Sequence, residues 1–355
     1  MNENEKNQKV ELLSLTYDEL KAFVLSLGEP SYRAEQLFSQ MHRGLSPDEM
    51  TNIGGATKEK IRAASVYHLP SPKRKLVSKI DGTVKYLFEL ADGNCIESVV
   101  MKYRHGLTIC VSSQVGCRMG CKFCASTIGG KVRDLTAGEI LGQVIAAGRD
   151  LGERISNIVM MGIGEPLDNY DNVLKFLKIV NDPKGICIGY RHISLSTCGL
   201  ADKIDMLAKE DLPITLSISL HAADDETRSA IMPVNNAYGV DRLLAACKNY
   251  YQSTERRISF EYTLISGKND SSADAEKLAA LLNSKLRPNR ESLPVHVNLI
   301  PVNEVAERDC KQPDRRAVDA FAKALEARGI RATVRRTLGP DINASCGQLR
   351  RADNN

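Results

Sequence analysis

Three closely set cysteines are the first chemical signal in this chain. The segment Gly116-Cys117-Arg118-Met119-Gly120-Cys121-Lys122-Phe123-Cys124-Ala125 spaces its thiols by four and then three residues. Three thiolates on one short loop suit three corners of a cubane 4Fe–4S cluster, because thiolates are soft, anionic ligands for iron. Gly116 and Gly120 allow the backbone to wrap closely and to turn its N–H groups toward sulfide. Phe123 can shield such a cluster and so affect its potential. An electron-transfer ferredoxin saturates its cluster with four thiolates, whereas three leave one iron open to a further ligand. The competing readings are a zinc site and chance clustering. Structural zinc normally takes four protein ligands, often in two separated pairs.

The remaining cysteines carry weaker signals. Cys110 lies seven residues before Cys117, at the end of an expected strand, and should sit near the cluster. Cys346 lies in a tail of short side chains beside Gly347, where mobility is expected. Either is equally readable as a small buried hydrophobe. That reading is preferred for Cys187, Cys198, Cys247 and Cys310, and Cys95 stays unassigned.

These residues need a scaffold, and the sequence outlines one. The chain has 355 residues, 43% of them hydrophobic and 26% charged, which permits a sizeable core. Up to about Ser65 the apolar spacing is helical, as in Tyr32-Arg33-Ala34-Glu35-Gln36-Leu37-Phe38. From Lys73 to Val111 strands take over. Asp81-Gly82 and Asp92-Gly93 mark the turns of a meander. After the cysteine loop, expected strands at Ile155–Met161, His192–Ser196, Ile214–Leu220, Ile258–Leu264, Val295–Ile300 and Ala332–Arg335 alternate with helices. With Leu107–Ser112 added, about seven strands predict an α/β fold with a parallel sheet, a partial rather than a closed barrel. The expected division is a helical unit over 1–72, a meander over 73–106 and the partial barrel over 107–355.

Charge and termini narrow the class. Met1–Glu11 is polar, neither a signal peptide nor an anchor, and no segment is apolar enough to span a membrane, so a cytoplasmic protein is expected. In that compartment close-set cysteines bind metal or do redox chemistry more often than they form disulfides. Net charge is only +4, and basic runs such as Lys73-Arg74-Lys75, Lys131 with Arg133, Arg335-Arg336 and Arg350-Arg351 are each commonest as solvated faces. The chain has no Trp, so aromatic platforms for single-stranded RNA are few.

Further motifs follow the cysteine loop in order: Gly162-Ile163-Gly164-Glu165-Pro166-Leu167, Leu195-Ser196-Thr197, Ser219-Leu220-His221-Ala222, Asn298-Leu299-Ile300-Pro301 and Asp341-Ile342-Asn343-Ala344-Ser345-Cys346-Gly347-Gln348-Leu349. Together with Cys110-Val111-Ser112-Ser113-Gln114-Val115-Gly116-Cys117, they resemble the RNA adenine methyltransferases of the radical S-adenosylmethionine (SAM) superfamily. The resemblance runs from near Leu15 to Leu349. Taken alone, Gly164-Glu165 is a strand-to-helix turn, Ser196 and Ser219 are caps, and His221 is a satisfied helix-start residue.

The resemblance implies more. The fold would be a partial (β/α) barrel of the radical SAM type. Cys117, Cys121 and Cys124 would hold a 4Fe–4S cluster, and SAM would be both methyl donor and radical source. Gly164, Glu165, Ser196, Ser219, Leu220, His221 and Asn298 would contact SAM. The RNA substrates would be 23S rRNA and tRNA, held in part by the helical N-terminal unit, and the modified atom adenine C2. That carbon is electrophilic, so ordinary methyl transfer fails there, while a thiolate accepts the methyl group readily. Cys346 would be methylated first. A radical from a second SAM would take hydrogen from that methyl group, and the resulting carbon would join the base. Cys110 would then attack the Cys346 sulfur, closing a disulfide and releasing the product. Either Glu97 or Cys110 would take the C2 proton.

A flavodoxin or ferredoxin would be the electron donor, and a monomer is expected. A sister group methylates adenine C8 with the same cysteines. C2 is favoured because Leu135-Thr136-Ala137-Gly138-Glu139-Ile140 and Asn169-Tyr170-Asp171-Asn172-Val173 resemble the C2 group more. The chain departs from the common family pattern at Ser126-Thr127-Ile128 and, in the tail, at Asn343 and Ser345. A metal-stabilised RNA-binding protein without catalysis is the alternative from another class.

Overall fold

The computed structural model describes residues 9–287 and 294–350. The polar start over 1–8 and Arg351 of the last basic run lie outside them.

Local capping explains where the first helix begins. Strand β1 (Val10–Glu11) precedes α1 (Tyr17–Ser26). Thr16 caps α1 in a reciprocal box: Glu19 N–H donates to Thr16 Oγ1, and Thr16 N–H donates to Glu19 Oε2 at 2.8 Å. Helices α2 (Tyr32–Met41) and α3 (Gly55–Ala64) follow, and β2 (Ser65–Val66) pairs in parallel with β1. The apolar side of this unit joins the barrel's own core, with Leu12, Leu37 and Phe38 buried in one continuous cluster with Ile140 and Phe176. His42, after α2, accepts from Ile186 N–H at 3.0 Å and so ties the unit to the barrel.

The meander is β3 (Ser71–Val77), β4 (Val84–Glu89) and β5 (Cys95–Tyr103), paired antiparallel and continued by β6 (Gly106–Cys110). The expected first strand over 76–80 ends earlier, at Val77. Ser78 Oγ turns back to accept from the Ile80 and Asp81 N–H groups, which makes 78–83 the hairpin turn. Cys95, unassigned in the sequence, is the first residue of β5.

The barrel then alternates as expected. A short pair, β7 (Gln114–Gly116) and β8 (Lys131–Asp134), precedes α4 (Ala137–Leu151). Next come β9 (Ile155–Met160), α5 (Tyr170–Asn181), β10 (Ile193–Thr197), α6 (Ala201–Leu207), β11 (Thr215–Ser219), α7 (Asp225–Ile231) and α8 (Val240–Thr254). Finally come β12 (Ile258–Leu264), α9 (Ser272–Leu286), β13 (His296–Pro301), α10 (Arg315–Ala327) and β14 (Arg331–Val334). Strands β9 to β14 join β6 and the meander in one ten-stranded sheet of order β14-β13-β12-β11-β10-β9-β6-β5-β4-β3, while β7 and β8 form a sheet of their own. Pairing is parallel from β6 through β14 and antiparallel in the meander. The parallel part supplies the seven barrel strands expected, and it stays open between β14 and β3. Ile258–Leu264 is buried throughout, as a central parallel strand must be.

The β7–β8 pair and α7 were not read from the sequence. Both are short, and neither carries a clear period. Among the described residues no helix is long and apolar enough to cross a membrane.

Candidate functional site

The cysteine loop is shaped from its base. β7 and β8 pair antiparallel on either side of it, and Cys117 N–H donates to Gly130 O at 3.1 Å. Gly116 has φ +76, and a Cβ there would stand 1.9 Å from Gly130 O, so only glycine permits this closure. Inside the loop, Lys122 N–H reaches Ile231 O at 2.9 Å, and Thr127 Oγ1 donates to Cys124 O at 3.0 Å.

The loop faces the carboxyl ends of β9, β10 and β11 across a cleft of about 910 Å³, part of it open to solvent. Cys117, Cys121 and Cys124 all line it as free thiols. Burial pushes the Cys117 thiol up to about 12 and raises Cys121 and Cys124 as well, each further opposed by a neighbouring thiol of the set or by Cys346. Three thiols that resist ionising alone, two of them buried and Cys124 partly so, suit a polynuclear cation, which deprotonates its ligands on binding. Among the described residues no group of three His, Cys, Asp or Glu side chains gathers around a single-ion position. A cubane takes each thiolate on a different iron, so it does not ask for such convergence. The donor set therefore fits the cluster.

The expected SAM contacts divide. Gly164, Glu165, Ser196, Ser219 and His221 line the same cleft. Gly164 has φ +105, and a Cβ there would press within 2.6 Å of the Gln114 side chain. Glu165 is buried, which raises its carboxyl pKa, and its oxygens accept from Cys198 N–H at 2.7 Å and Leu167 N–H at 3.0 Å. His221 has φ +60 and accepts from Thr263 N–H at 2.8 Å through Nδ1. Burial holds this imidazole neutral, with its pKa lowered to about 3, so Nε2 carries the proton. Phe123 meets the ring edge-on at 5.0 Å and lines the cleft too.

Leu220 and Asn298 stand back from the cleft. The Leu220 side chain is in the core. Asn298 donates to Glu261 Oε2 at 2.7 Å, and it is Glu261 that faces the cleft, with its pKa raised by burial. Glu261 was missed in the sequence. Its one signal was a carboxylate at the central polar position, between Ser259 and Thr263, of the alternating strand Ile258–Leu264. Arg335 was noted only as part of a basic run, yet it lines the cleft 3.8 Å from Glu261 Oε2.

Cys110 is not in this cleft. It lines a second cavity with Val99, Met101 and Leu338, and burial pushes its thiol up to about 12. Cys110, expected near the cluster, thus lies in the adjoining cavity, and Met161, beyond the end of β9, lines both spaces. Cys346 also lines both.

The tail that carries Cys346 is strapped down rather than loose. Asp341 accepts from Ser78 Oγ at 2.7 Å and Lys79 N–H at 2.9 Å. Lys85 Nζ reaches Asn343 O at 3.1 Å, and Asn303 Nδ2 donates to Cys346 O at 3.0 Å. Ala125 N–H donates to Gly347 O and Ser126 Oγ to Leu349 O, both at 2.7 Å, which joins the tail to the loop just after Cys124. Ser126, a departure from the common pattern, thus serves as an anchor.

Glu97 lines neither cavity. Its Oε1 pairs with Lys85 Nζ at 2.7 Å, and its Oε2 accepts from Arg350 N–H at 2.8 Å, so the buried carboxylate is itself a tail anchor.

Comparisons with known proteins agree with this geometry. Residues 111–281 match the model of the radical SAM superfamily, and residues 10–66 that of the ribosomal RNA large subunit methyltransferase N-terminal domain. A protein of Clostridium novyi (strain NT) named probable dual-specificity RNA methyltransferase RlmN is 50% identical over 342 residues, covering 96% of this chain and 97% of its own. A protein of the same name from Clostridium tetani (strain Massachusetts / E88) is 51% identical over 343 residues, with 96% of each chain covered. The crystal structure of a radical SAM methyltransferase from Sphaerobacter thermophilus superimposes with a TM-score of 0.90 at 42% identity, over 96% of this chain and 99% of that one.

Proposed function

The chain belongs to the dual-specificity RNA methyltransferases of the radical SAM superfamily, and from that premise we propose that it methylates C2 of an adenine in 23S rRNA and in tRNA. It is a radical SAM RNA methyltransferase whose cofactors are a 4Fe–4S cluster and SAM. When bound, this pair supplies a reductive cleavage that yields an organic radical. Cys117, Cys121 and Cys124 hold the cluster. Gly164, Glu165, Ser196, Ser219 and His221 orient SAM, while Leu220 and Asn298 act from behind, Asn298 through Glu261.

The observation that carries the reading is the position of Cys346. It borders both the cleft with the three thiols and the cavity with Cys110. One sulfur can therefore receive a methyl group on one side and meet a second thiol on the other. The Cys346 thiolate accepts the methyl group of SAM. Once the derived carbon is bonded to the base, the Cys110 thiolate attacks the Cys346 sulfur. An S–S bond forms and the S–C bond breaks, and the carbon keeps the electron pair and takes a proton to become methyl. Glu97 is the proposed acceptor of the C2 proton, which requires its contact with Lys85 or Arg350 to open.

The helical unit over 1–72 is assigned to RNA holding, the meander over 73–106 to anchoring the tail, and 107–355 to catalysis. Affinity for RNA should fall steeply with salt, since phosphate contacts dominate such binding. A flavodoxin or ferredoxin is the proposed electron donor. One chain carries every residue in this scheme, so a monomer suffices.

The test is Cys110→Ala incubated with SAM, a reductant and RNA. The expected result is a protein covalently joined to RNA that does not resolve. Normal methyl transfer without an adduct overturns the two-cysteine scheme. Mass spectrometry of the RNA made by the unaltered protein should show 2-methyladenosine, and 8-methyladenosine as sole product overturns the choice of carbon.

A further inference from the structure

Behind the cofactor rim lies a buried cation with no carboxylate in contact. Arg228 of α7 is 0% exposed. Nε donates to Leu220 O at 3.0 Å. Nη1 donates to Asn235 Oδ1 at 2.9 Å and Tyr238 O at 3.4 Å, and Nη2 to Cys198 O at 2.7 Å and Ser219 O at 3.1 Å. Every acceptor is a neutral carbonyl oxygen. Among the described residues no carboxylate oxygen comes within 4.0 Å of this guanidinium. The acid that its network reaches, Asp225, is one residue removed, where Oδ1 accepts from Asn235 Nδ2 at 2.9 Å. Arginine keeps its proton in such settings, so the acceptors solvate the charge without cancelling it. A buried charge lacking a direct counter-ion is costly, which calls for a reason to keep it.

Its partners supply the reason. Ser219 ends β11, Leu220 follows it, and Cys198 follows β10, so one side chain joins two strand ends of the cofactor rim. The same helix ends at Ile231, whose carbonyl accepts from Lys122 N–H between Cys121 and Cys124. Arg228 and its helix thus bind the rim to the cysteine loop.

We propose that Arg228 is a positioning residue with an electrostatic task. It holds the ends of β10 and β11 against the cysteine loop, and its uncancelled positive charge favours the reduced state of the cluster. This rests on the cluster reading given above. Reduction adds one negative charge to a centre already carrying three thiolates, and a fixed cation in a poorly polarisable interior stabilises that added charge. Loss of the charge should make reduction harder, and loss of the donor fan should loosen Ser219 and weaken SAM binding.

The test uses anaerobically reconstituted holoprotein, with iron and sulfide counted, the cluster potential read by EPR-monitored titration without SAM, and SAM affinity read by equilibrium binding. Arg228→Lys keeps the charge but loses the fan, and its potential should stay near that of the parent while SAM affinity falls about tenfold. Arg228→Met should lose affinity and shift to lower potential. Asn235→Asp sets a carboxylate against the guanidinium and should lower the potential too, so the charge is still read if Arg228→Met does not fold. An unchanged potential in a folded, iron-replete Arg228→Met or Asn235→Asp overturns the electrostatic task. Unchanged SAM affinity in Arg228→Lys overturns the positioning. If the parent protein itself takes up no iron, the cluster reading fails instead, and the two failures are told apart.

Discussion

The cysteine loop and the cysteine tail meet at one cleft but are built by opposite means. The loop is closed at its base by near neighbours, since β7 pairs with β8, Gly116 closes on Gly130 and Thr127 turns back to Cys124, and distant partners such as Ile231 and Arg308 only add to that closure. The tail is held by distant partners, with Asp341 on Ser78, Lys85 on Asn343, Glu97 on Arg350 and Ser126 on Leu349. A loop closed at its own base keeps its three thiols together by short-range contacts. A reactive thiol assembled at long range depends on several parts of the sheet at once, and it can be released without dismantling the cofactor site.

The sharpest break of this comparison comes from two cysteine substitutions. Cys121→Ala should lose the iron and with it all methylation. Cys346→Ala should keep its full iron and sulfide content and still make no methylated RNA. Loss of iron from Cys346→Ala would show that the tail belongs to the cluster site, and the division would fall.

Lys85→Met comes next. It leaves Glu97 buried without its ion-pair partner and frees Asn343 O, and breaking a buried pair typically costs about 3–5 kcal/mol. Denaturant unfolding should show that loss, and proteolysis should cut the tail sooner, while iron loading stays unchanged. A variant as stable as the parent would mean that the Lys85–Glu97 pair does not fasten the tail.

The two thiol environments also predict a pH dependence. Burial first, and the adjacent Cys346 second, push the Cys110 thiol up to about 12. Below that value the thiolate fraction grows with pH, so alkylation of Cys110 should speed up about tenfold per unit between pH 8 and pH 10. A plateau near pH 8 would show that Cys110 ionises readily and that this cavity is not apolar in effect. The smallest change is Ser126→Ala, which removes one buried hydrogen bond between loop and tail and should cost about 1 kcal/mol in denaturant unfolding. No loss there would leave Ala125 N–H to Gly347 O as the link that matters.

Much of the barrel was legible because its signals are local. Ile258–Leu264 reads as a strand because apolar residues alternate with Ser259, Glu261 and Thr263, although the fold buries both sets. Thr136 with Glu139 announces the start of α4 by capping chemistry alone. The short β7 and β8 have no such signal, because pairing across the intervening loop creates them. At the site, the five expected SAM contacts that line the cleft sit just beyond or near strand ends, where chain order already places them. Glu261 and Arg228 escaped because their roles exist only through partners far away in sequence or on other elements.

By itself the sequence determined the three-thiol loop, since spacing along one short segment sets which sulfurs can share a cluster. It also determined the order of strands and helices, since burial patterns repeat every few residues. Only the tertiary structure decided that Cys110 lies in a second cavity, that Cys346 borders both, and that Glu97 anchors the tail. Those facts depend on which distant segments the sheet brings together, and no local pattern of residues encodes a distance between Glu97 and Arg350.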